Sequence, residues 1–241
     1  MSSRTLVLAH RGASRARLEN TLAAFAKARE FGADGVELDV RRSADGRLVV
    51  HHDPHVDGFG LIVEHEFSAL RAARPEIPTL IEALEACAGM IVNVEIKCLP
   101  WEPDADTPDR AVVRSVVELL RTGAYVTPTD IIVSSFDLGA IDASLAFAPE
   151  LATGWLTSGQ EVSTASRLAV DHGHAWLNPD RESALRASPN DFAAAHKAGL
   201  RVNVWTVDDP EEIQKLVADG ADAIISNVPD VALDALRAPR R

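Results

Sequence analysis

The chain has 241 residues, of which 46% are hydrophobic and only 5% aromatic, so Ala, Val and Leu must fill most of the core. That length suits one large α/β domain or two small ones, and one-domain barrels commonly run to about this size. The formal net charge of −12 argues against a nucleic-acid or anionic-membrane surface, although an anionic substrate can still enter a locally positive pocket.

The first extended run is Leu6–His10. A stretch of helical period, "NTLAAFAKAREF", follows, with Asn20 as its expected N-cap. The second strand is predicted at Val36–Val40. A further extended run, Leu48–His52, comes after only "RRSADGR". That connection is far too short for a parallel crossover, so the run is expected to fold back antiparallel through a turn at Asp45-Gly46. Pro54–Pro78 then reads as an excursion with one short helix, "SALRAAR". Together these make an insertion at about 41–78.

Beyond it, helical and extended patterns alternate. Strands are predicted at Ile91–Lys97, Ile131–Phe136, Thr153–Leu156, Ala175–Asn178, Val202–Val207 and Ala223–Ser226. Helical stretches include "TLIEALEACA", "DRAVVRSVVELLRTG", "SPNDFAAAHKAG" and "DPEEIQKLVADG". A repeated βα pattern implies parallel strands with helical crossovers. Gly32, Gly199 and Gly220 each follow a helix by the same spacing and are expected in the left-handed conformation of a C-cap. Eight such strands predict a (β/α)8 TIM barrel, with residues 1–241 as a single domain.

In that architecture chemistry belongs at the carboxyl ends of the strands. There stand His10-Arg11-Gly12, then Glu37 and Asp39, then Glu95 and Lys97, with His52-Asp53 on the antiparallel run and Trp205 on the seventh strand. Glu37 and Asp39 are two apart and share a face, as do Glu95 and Lys97. Three converging carboxylates repel one another, and a divalent cation resolves this. Oxygen-only ligands suit Mg²⁺ or Ca²⁺. An ion network with Arg41, Arg42 or Lys97 is the competing reading. His10 and His52, beside such a metal, form an acid–base pair. Arg11 and Lys97 add positive charge suited to a phosphate. Trp205 offers an apolar wall, and Asp53 either orients His52 or caps a turn.

The remaining candidates read as structural. His172 and His174 in "DHGHAW" are expected on the surface or in a loop, without an acidic partner. Cys87 and Cys98 lack metal-ligand spacing and are too few for a disulfide framework, so they read as small buried hydrophobes in a reducing compartment. No apolar run approaches the ~18 residues of a membrane span. "MSSRTLVLAHRG" does not read as a signal peptide. The expected address is the cytoplasm.

The set "AHRGAS", "LENTLAAFAKAREFGADGVELDVRRSADGRLVVHHD", "NVEIK", "VNVWTV" and "GADAIISNVP" resembles the glycerophosphodiester phosphodiesterase family from residue 9 to residue 229. The resemblance implies a (β/α)8 barrel with a small insertion after the "HD" segment. It implies metal-dependent hydrolysis of a glycerophosphodiester to sn-glycerol 3-phosphate and an alcohol. By motif matching, His10 and His52 correspond to the general base and general acid. Glu37, Asp39 and Glu95 correspond to the metal ligands, and Arg11 and Lys97 to the phosphate contacts. Leu18 stands where the family usually has Pro, and Ser43 where it often has Thr; neither position carries chemistry. The competing functions are a lysophospholipase D acting on single-chain lipids, a catalytically silent phosphate-binding barrel, and an unrelated barrel isomerase.

Overall fold

A computed structural model describes residues 4–99, 101–102, 110–122 and 130–237. The chain opens with strand β1 (Leu6–His10) and helix α1 (Leu22–Phe31), then enters β2 (Gly35–Arg42). Val36, Leu38 and Val40 of β2 pack against Phe25 and Ala28 of α1 in the larger core cluster. The alternate residues, Glu37 and Asp39, are thereby turned to the barrel interior.

The insertion follows. β3 (Leu48–Val50) pairs antiparallel with β2, setting Val40 opposite Val50 and Arg42 opposite Leu48. Gly46 takes φ +80° in the connecting turn, the left-handed region that an Asp-Gly turn requires. A small hairpin, β4 (His55–Val56) and β5 (Gly60–Leu61), and helix α2 (Phe67–Ala73) complete it. Val49, Val56, Ile62, Leu70 and Ile77 give this segment its own small core. Helix α3 (Leu80–Ala86) starts from a capping box, in which Thr79 and Glu82 satisfy each other's exposed N–H groups.

The βα alternation then runs through β6 (Ile91–Ile96), α4 (Ala111–Thr122), β7 (Ile131–Ser135), α5 (Leu138–Phe147), β8 (Ala152–Thr157), α6 (Val162–Asp171) and β9 (Trp176–Pro179). It closes with α7 (Arg181–Arg186), α8 (Pro189–Lys197), β10 (Arg201–Val204), α9 (Pro210–Asp219), β11 (Ala223–Ser226) and α10 (Pro229–Arg237). Among the described residues, eight parallel strands close into a barrel in the order β1, β2, β6, β7, β8, β9, β10, β11, with β11 returning to β1. The predicted (β/α)8 architecture and the antiparallel β3 are both present.

The barrel interior is layered. Ile132, Trp176 and Ala223, with Leu6, Ile91 and Ala152, plug the end where the strands begin. Above them lies a polar layer in which Asn93 Nδ2 donates to Ser134 Oγ at 2.9 Å. Charged groups are confined to the opposite end, where solvent can reach them. Among the described residues no helix is long and apolar enough to cross a membrane.

Several details differ from the sequence reading, among them strand β3, which stops at Val50 and leaves His52 beyond the strand. Strand β10 stops at Val204 rather than Val207. Helix α1 is capped by Thr21, whose Oγ1 accepts from Ala24 N, and not by Asn20. Asn20 instead takes a left-handed conformation (φ 55°) that carries its side chain away from the helix and into the barrel mouth. His174 is buried.

Candidate active site

Strand register assembles the mouth. His10 lies beside Glu37 across the β1–β2 pair, and Asp39 lies beside Glu95 across the β2–β6 pair. Gly12 then turns the chain at φ +78°, where an added Cβ would stand 2.7 Å from the backbone carbonyl carbon of Ala24. Only glycine fits that approach. Arg11, just before it, is also left-handed (φ 56°) and donates its backbone N–H to Glu37 Oε2 at 2.9 Å.

His10 is held in one tautomer. Asn227 Nδ2 donates to Asp208 Oδ2 at 2.8 Å, and Asp208 Oδ1 also accepts from Asn227 N and Ser226 Oγ. A carboxylate only accepts, so the Asn227 amide nitrogen must face Asp208. Asn227 Oδ1 is left to accept from His10 Nδ1 at 2.7 Å. The proton therefore sits on Nδ1, and Nε2, 3.9 Å from Glu37 Oε2, keeps its lone pair. Burial, reinforced by Arg11, pushes the His10 pKa below the ordinary histidine value.

Glu37, Asp39 and Glu95 are all buried, and one oxygen from each lies within 4.8 Å of the others. Lys97 Nζ stands between two of them, 3.0 Å from Asp39 Oδ1 and 2.5 Å from Glu95 Oε1. Arg11 Nε adds a 3.2 Å contact to Asp39 Oδ2, and Asn20 Nδ2 donates to the same oxygen at 2.8 Å. Despite its burial, Asp39 is held well below the usual carboxylate range by Lys97 and Arg11. Burial pushes Glu37 up to about 8, with Asp39 adding to the effect, and Glu95 up to about 7. Glu37 Oε1 is buried and accepts no hydrogen bond. An orphaned carboxyl oxygen among the described residues, two further carboxyl groups within reach and only oxygen donors fit a hard divalent cation, whose charge would favour the ionised forms. The residues present could hold one.

His52 approaches from the antiparallel side. Its Nδ1 donates to Asp53 Oδ1 at 2.7 Å, which makes Asp53 an orienting partner. The buried Arg41 donates Nε to the His52 carbonyl at 2.8 Å and pairs with Glu102, fixing the backbone that presents the ring. Burial lowers the His52 pKa, opposed by Asp39.

The two histidines, Arg11, Glu37, Glu95 and Lys97 line one cavity of about 260 Å³. Phe136, Leu156, Trp205 and Ile225 form its apolar wall. Trp205 is braced by Nε1 donation to the Asn178 carbonyl at 2.8 Å and by an edge-on contact with Phe136 at 5.3 Å. A second cavity, of about 420 Å³, opens toward the insertion between Leu18, Asn20 and Arg74. His52 lines both.

Every residue singled out for the site in the sequence, His10, Arg11, Glu37, Asp39, His52, Glu95, Lys97 and Trp205, thus meets at one end of the barrel. Sequence reasoning gave Asn20 and Arg41 other roles, and missed Phe136, Asp208 and Asn227. Asn227 stands in the quoted "SNVP" segment, directly after strand β11, and that position was its one available signal. Cys87 and Cys98 are unpaired and buried, and burial pushes both thiols up to about 12, as expected of inert core residues. His174, read as a surface or loop residue without an acidic partner, is instead buried and lies beside Asp142 of α5.

Comparison with known proteins agrees with the barrel fold. The model of the glycerophosphoryl diester phosphodiesterase family matches residues 10–231. A glycerophosphodiester phosphodiesterase of Caldanaerobacter subterraneus subsp. tengcongensis is 30% identical over 255 residues, spanning 97% of this chain and 98% of that protein. The crystal structure of a glycerophosphodiester phosphodiesterase from Thermotoga maritima superposes with a TM-score of 0.81 at 28% identity, covering 97% of this chain and 99% of that one. An Oleispira antarctica phosphodiesterase in complex with the product sn-glycerol-3-phosphate gives a TM-score of 0.82 at 27% identity, covering 98% of each chain. The chain belongs to the glycerophosphoryl diester phosphodiesterase family, has the fold of its relatives and is a phosphodiester hydrolase.

Proposed function

We propose that this protein hydrolyses small glycerophosphodiesters to sn-glycerol 3-phosphate and an alcohol. The observation that carries the reading is the meeting, in one cavity, of two oriented imidazoles, two buried carboxylates and two cations, with the Asp39 carboxylate within 4.8 Å of the other two. The product held by the Oleispira antarctica relative supports the same substrate class.

His10 is the general base. Its Nδ1–H is committed to Asn227, so Nε2 is free to take a proton from the nucleophile, whether water or the glycerol's own neighbouring hydroxyl. In the second case a cyclic phosphate forms first and water opens it. His52 is the general acid, and Asp53 stabilises its imidazolium while it protonates the leaving alkoxide. A phosphodiester anion between them favours that charged form. Arg11 and Lys97 contact the phosphate, and Trp205 with Phe136 packs against the glycerol carbons.

Glu37, Asp39 and Glu95 are the ligands of a divalent cation, Mg²⁺ or Ca²⁺, which when bound supplies Lewis-acid charge for the phosphoryl oxygens. Because His52 lines both cavities, the leaving alcohol lies toward the insertion and the glycerol phosphate within the barrel. The cytoplasmic address rests on composition, since two unpaired buried cysteines suit a reducing compartment.

The test is to incubate chelator-stripped protein with glycerophosphocholine, with and without Mg²⁺ or Ca²⁺, and to measure sn-glycerol 3-phosphate. Metal-dependent release supports the reading. Release of phosphocholine, or no release with either metal, overturns it. Faster cleavage of lysophosphatidylcholine moves the assignment to a lysophospholipase D.

A further inference from the structure

A second group of ligating side chains lies at the other end of the barrel, where the strands begin. Asp142 projects from α5, while His172 and His174 sit in the connection from α6 to β9. His172 Nδ1 is 2.9 Å from Asp142 Oδ1 and 3.1 Å from Oδ2. His174 Nε2 is 3.2 Å from Asp142 Oδ1. The side chain of His174 is 0% exposed, and among the described residues its Nε2, though close to Asp142 Oδ1, makes no well-aligned hydrogen bond. The other nitrogen, Nδ1, is engaged by Thr153 Oγ1 of β8 at 2.9 Å.

The geometry points to a transition-metal site, of the Zn²⁺ class, formed by Asp142, His172 and His174. One donor atom from each residue lies within 4.8 Å of the others. Ligands about 2.0–2.1 Å from a tetrahedral ion stand roughly 3.3 Å apart. The two nitrogen–oxygen separations of 2.9 and 3.2 Å are already close to that edge. Two imidazoles with one carboxylate suit Zn²⁺, in contrast to the oxygen-only set of the barrel mouth.

The backbone is arranged in advance of any ion. His172, Gly173 and His174 each donate an N–H into the last turn of α6, to Leu168, Val170 and Ala169. Gly173, at φ +81°, makes the reversal that brings two histidines, two positions apart, to one side. Their rings lie nearly parallel, 6.1 Å apart. Thr153 is the outer partner that orients a ligating imidazole through its second nitrogen. Asp142 and His172 are each more than a third exposed, so an ion can enter from solvent and keep water in its remaining position. Bound there, it joins α5 to the α6–β9 connection, at the end of the barrel opposite the mouth. Its role is structural.

The test uses the intact, chelator-stripped protein with the mouth site saturated by excess Mg²⁺. Zn²⁺ is titrated by calorimetry and Co²⁺ by its visible absorption, in wild type, Asp142→Asn and His172→Ala. His172 is exposed enough for its variant to fold. The expected result is a tetrahedral Co²⁺ spectrum in wild type and a Zn²⁺ affinity reduced roughly ten- to hundredfold or more in both variants. A Zn²⁺-dependent rise in Tm should appear in wild type and vanish in the variants. Equal Zn²⁺ stoichiometry and affinity in all three proteins would overturn the site. So would Zn²⁺ uptake that disappears only in Glu37→Gln.

Discussion

Asn227 Oδ1 accepts the Nδ1 proton of His10 at 2.7 Å, across 217 positions of sequence. Asp208 determines which end of the Asn227 amide faces the ring. Three side chains thus act in series to leave one imidazole nitrogen unprotonated in the barrel mouth. Asn227→Ala should leave the fold intact and lower kcat by roughly 10²-fold, the usual cost of a misplaced catalytic group. Asp208→Asn, which lets the amide turn over, should lose activity in the same direction. Steady-state kinetics checks both, and an Asn227→Ala variant with unchanged kcat contradicts the tautomer assignment.

The pH dependence has a definite sign. Burial and Arg11 depress the His10 pKa, and a general base works only when neutral. Activity is therefore present above that value and is lost as pH falls through it. The acidic limb of kcat/KM should have its midpoint below the ordinary histidine value of about 6.5. Asn227→Asp puts an anion against Nδ1 and should move that midpoint upward. A midpoint that stays in place in this variant assigns the limb to another group.

The two histidines are separable by leaving group. His52→Ala should reduce cleavage of glycerophosphocholine by roughly 10²–10⁴-fold. The same variant should be far less impaired on a glycerol phosphate ester of p-nitrophenol, whose anion leaves without a proton. His10→Ala should be impaired on both. Equal losses in the two variants on both substrates contradict the division of roles.

Lys97 also holds the mouth together. Its Nζ is buried against Asp39 and Glu95, so Lys97→Met leaves Glu95 without its cation and Asp39 with Arg11 alone. The metal-free variant should lose about 3–5 kcal/mol, the range for breaking a buried ion pair by removing one partner. Urea unfolding measures this, and added Mg²⁺ should restore part of the loss. An unchanged midpoint would show that the carboxylates are already neutralised by other means.

Much of this was legible in the chain because it is periodic. Strands with apolar residues on one face and Glu37, Asp39, Glu95 and Lys97 two apart on the other specify both a barrel wall and a charged mouth. The repeated glycines after α1 and α9 marked the βα unit. What stayed hidden depends on pairings between distant residues. Asn20 followed by Thr21 offered two capping residues in a row. The cap went to Thr21 because Asn20, in a left-handed turn, reaches Asp39 instead. Arg41 read as a candidate ion partner of Glu37 and Asp39 and proved to be the buried support of the His52 backbone. His172 and His174 read as loop residues because their acidic partner lies thirty positions from His172, on the preceding barrel helix.

The most direct measurement is a phosphorus NMR time course of glycerophosphocholine with chelator-stripped wild type and Glu37→Gln, each before and after addition of Mg²⁺ or Ca²⁺. Glu37 Oε1 is the orphaned oxygen on which the divalent-cation reading stands. The account predicts no change without metal, growth of the sn-glycerol 3-phosphate signal in wild type once metal is added, and little or none in Glu37→Gln. Equal hydrolysis with and without metal, or a Glu37→Gln variant as active as wild type, would contradict it.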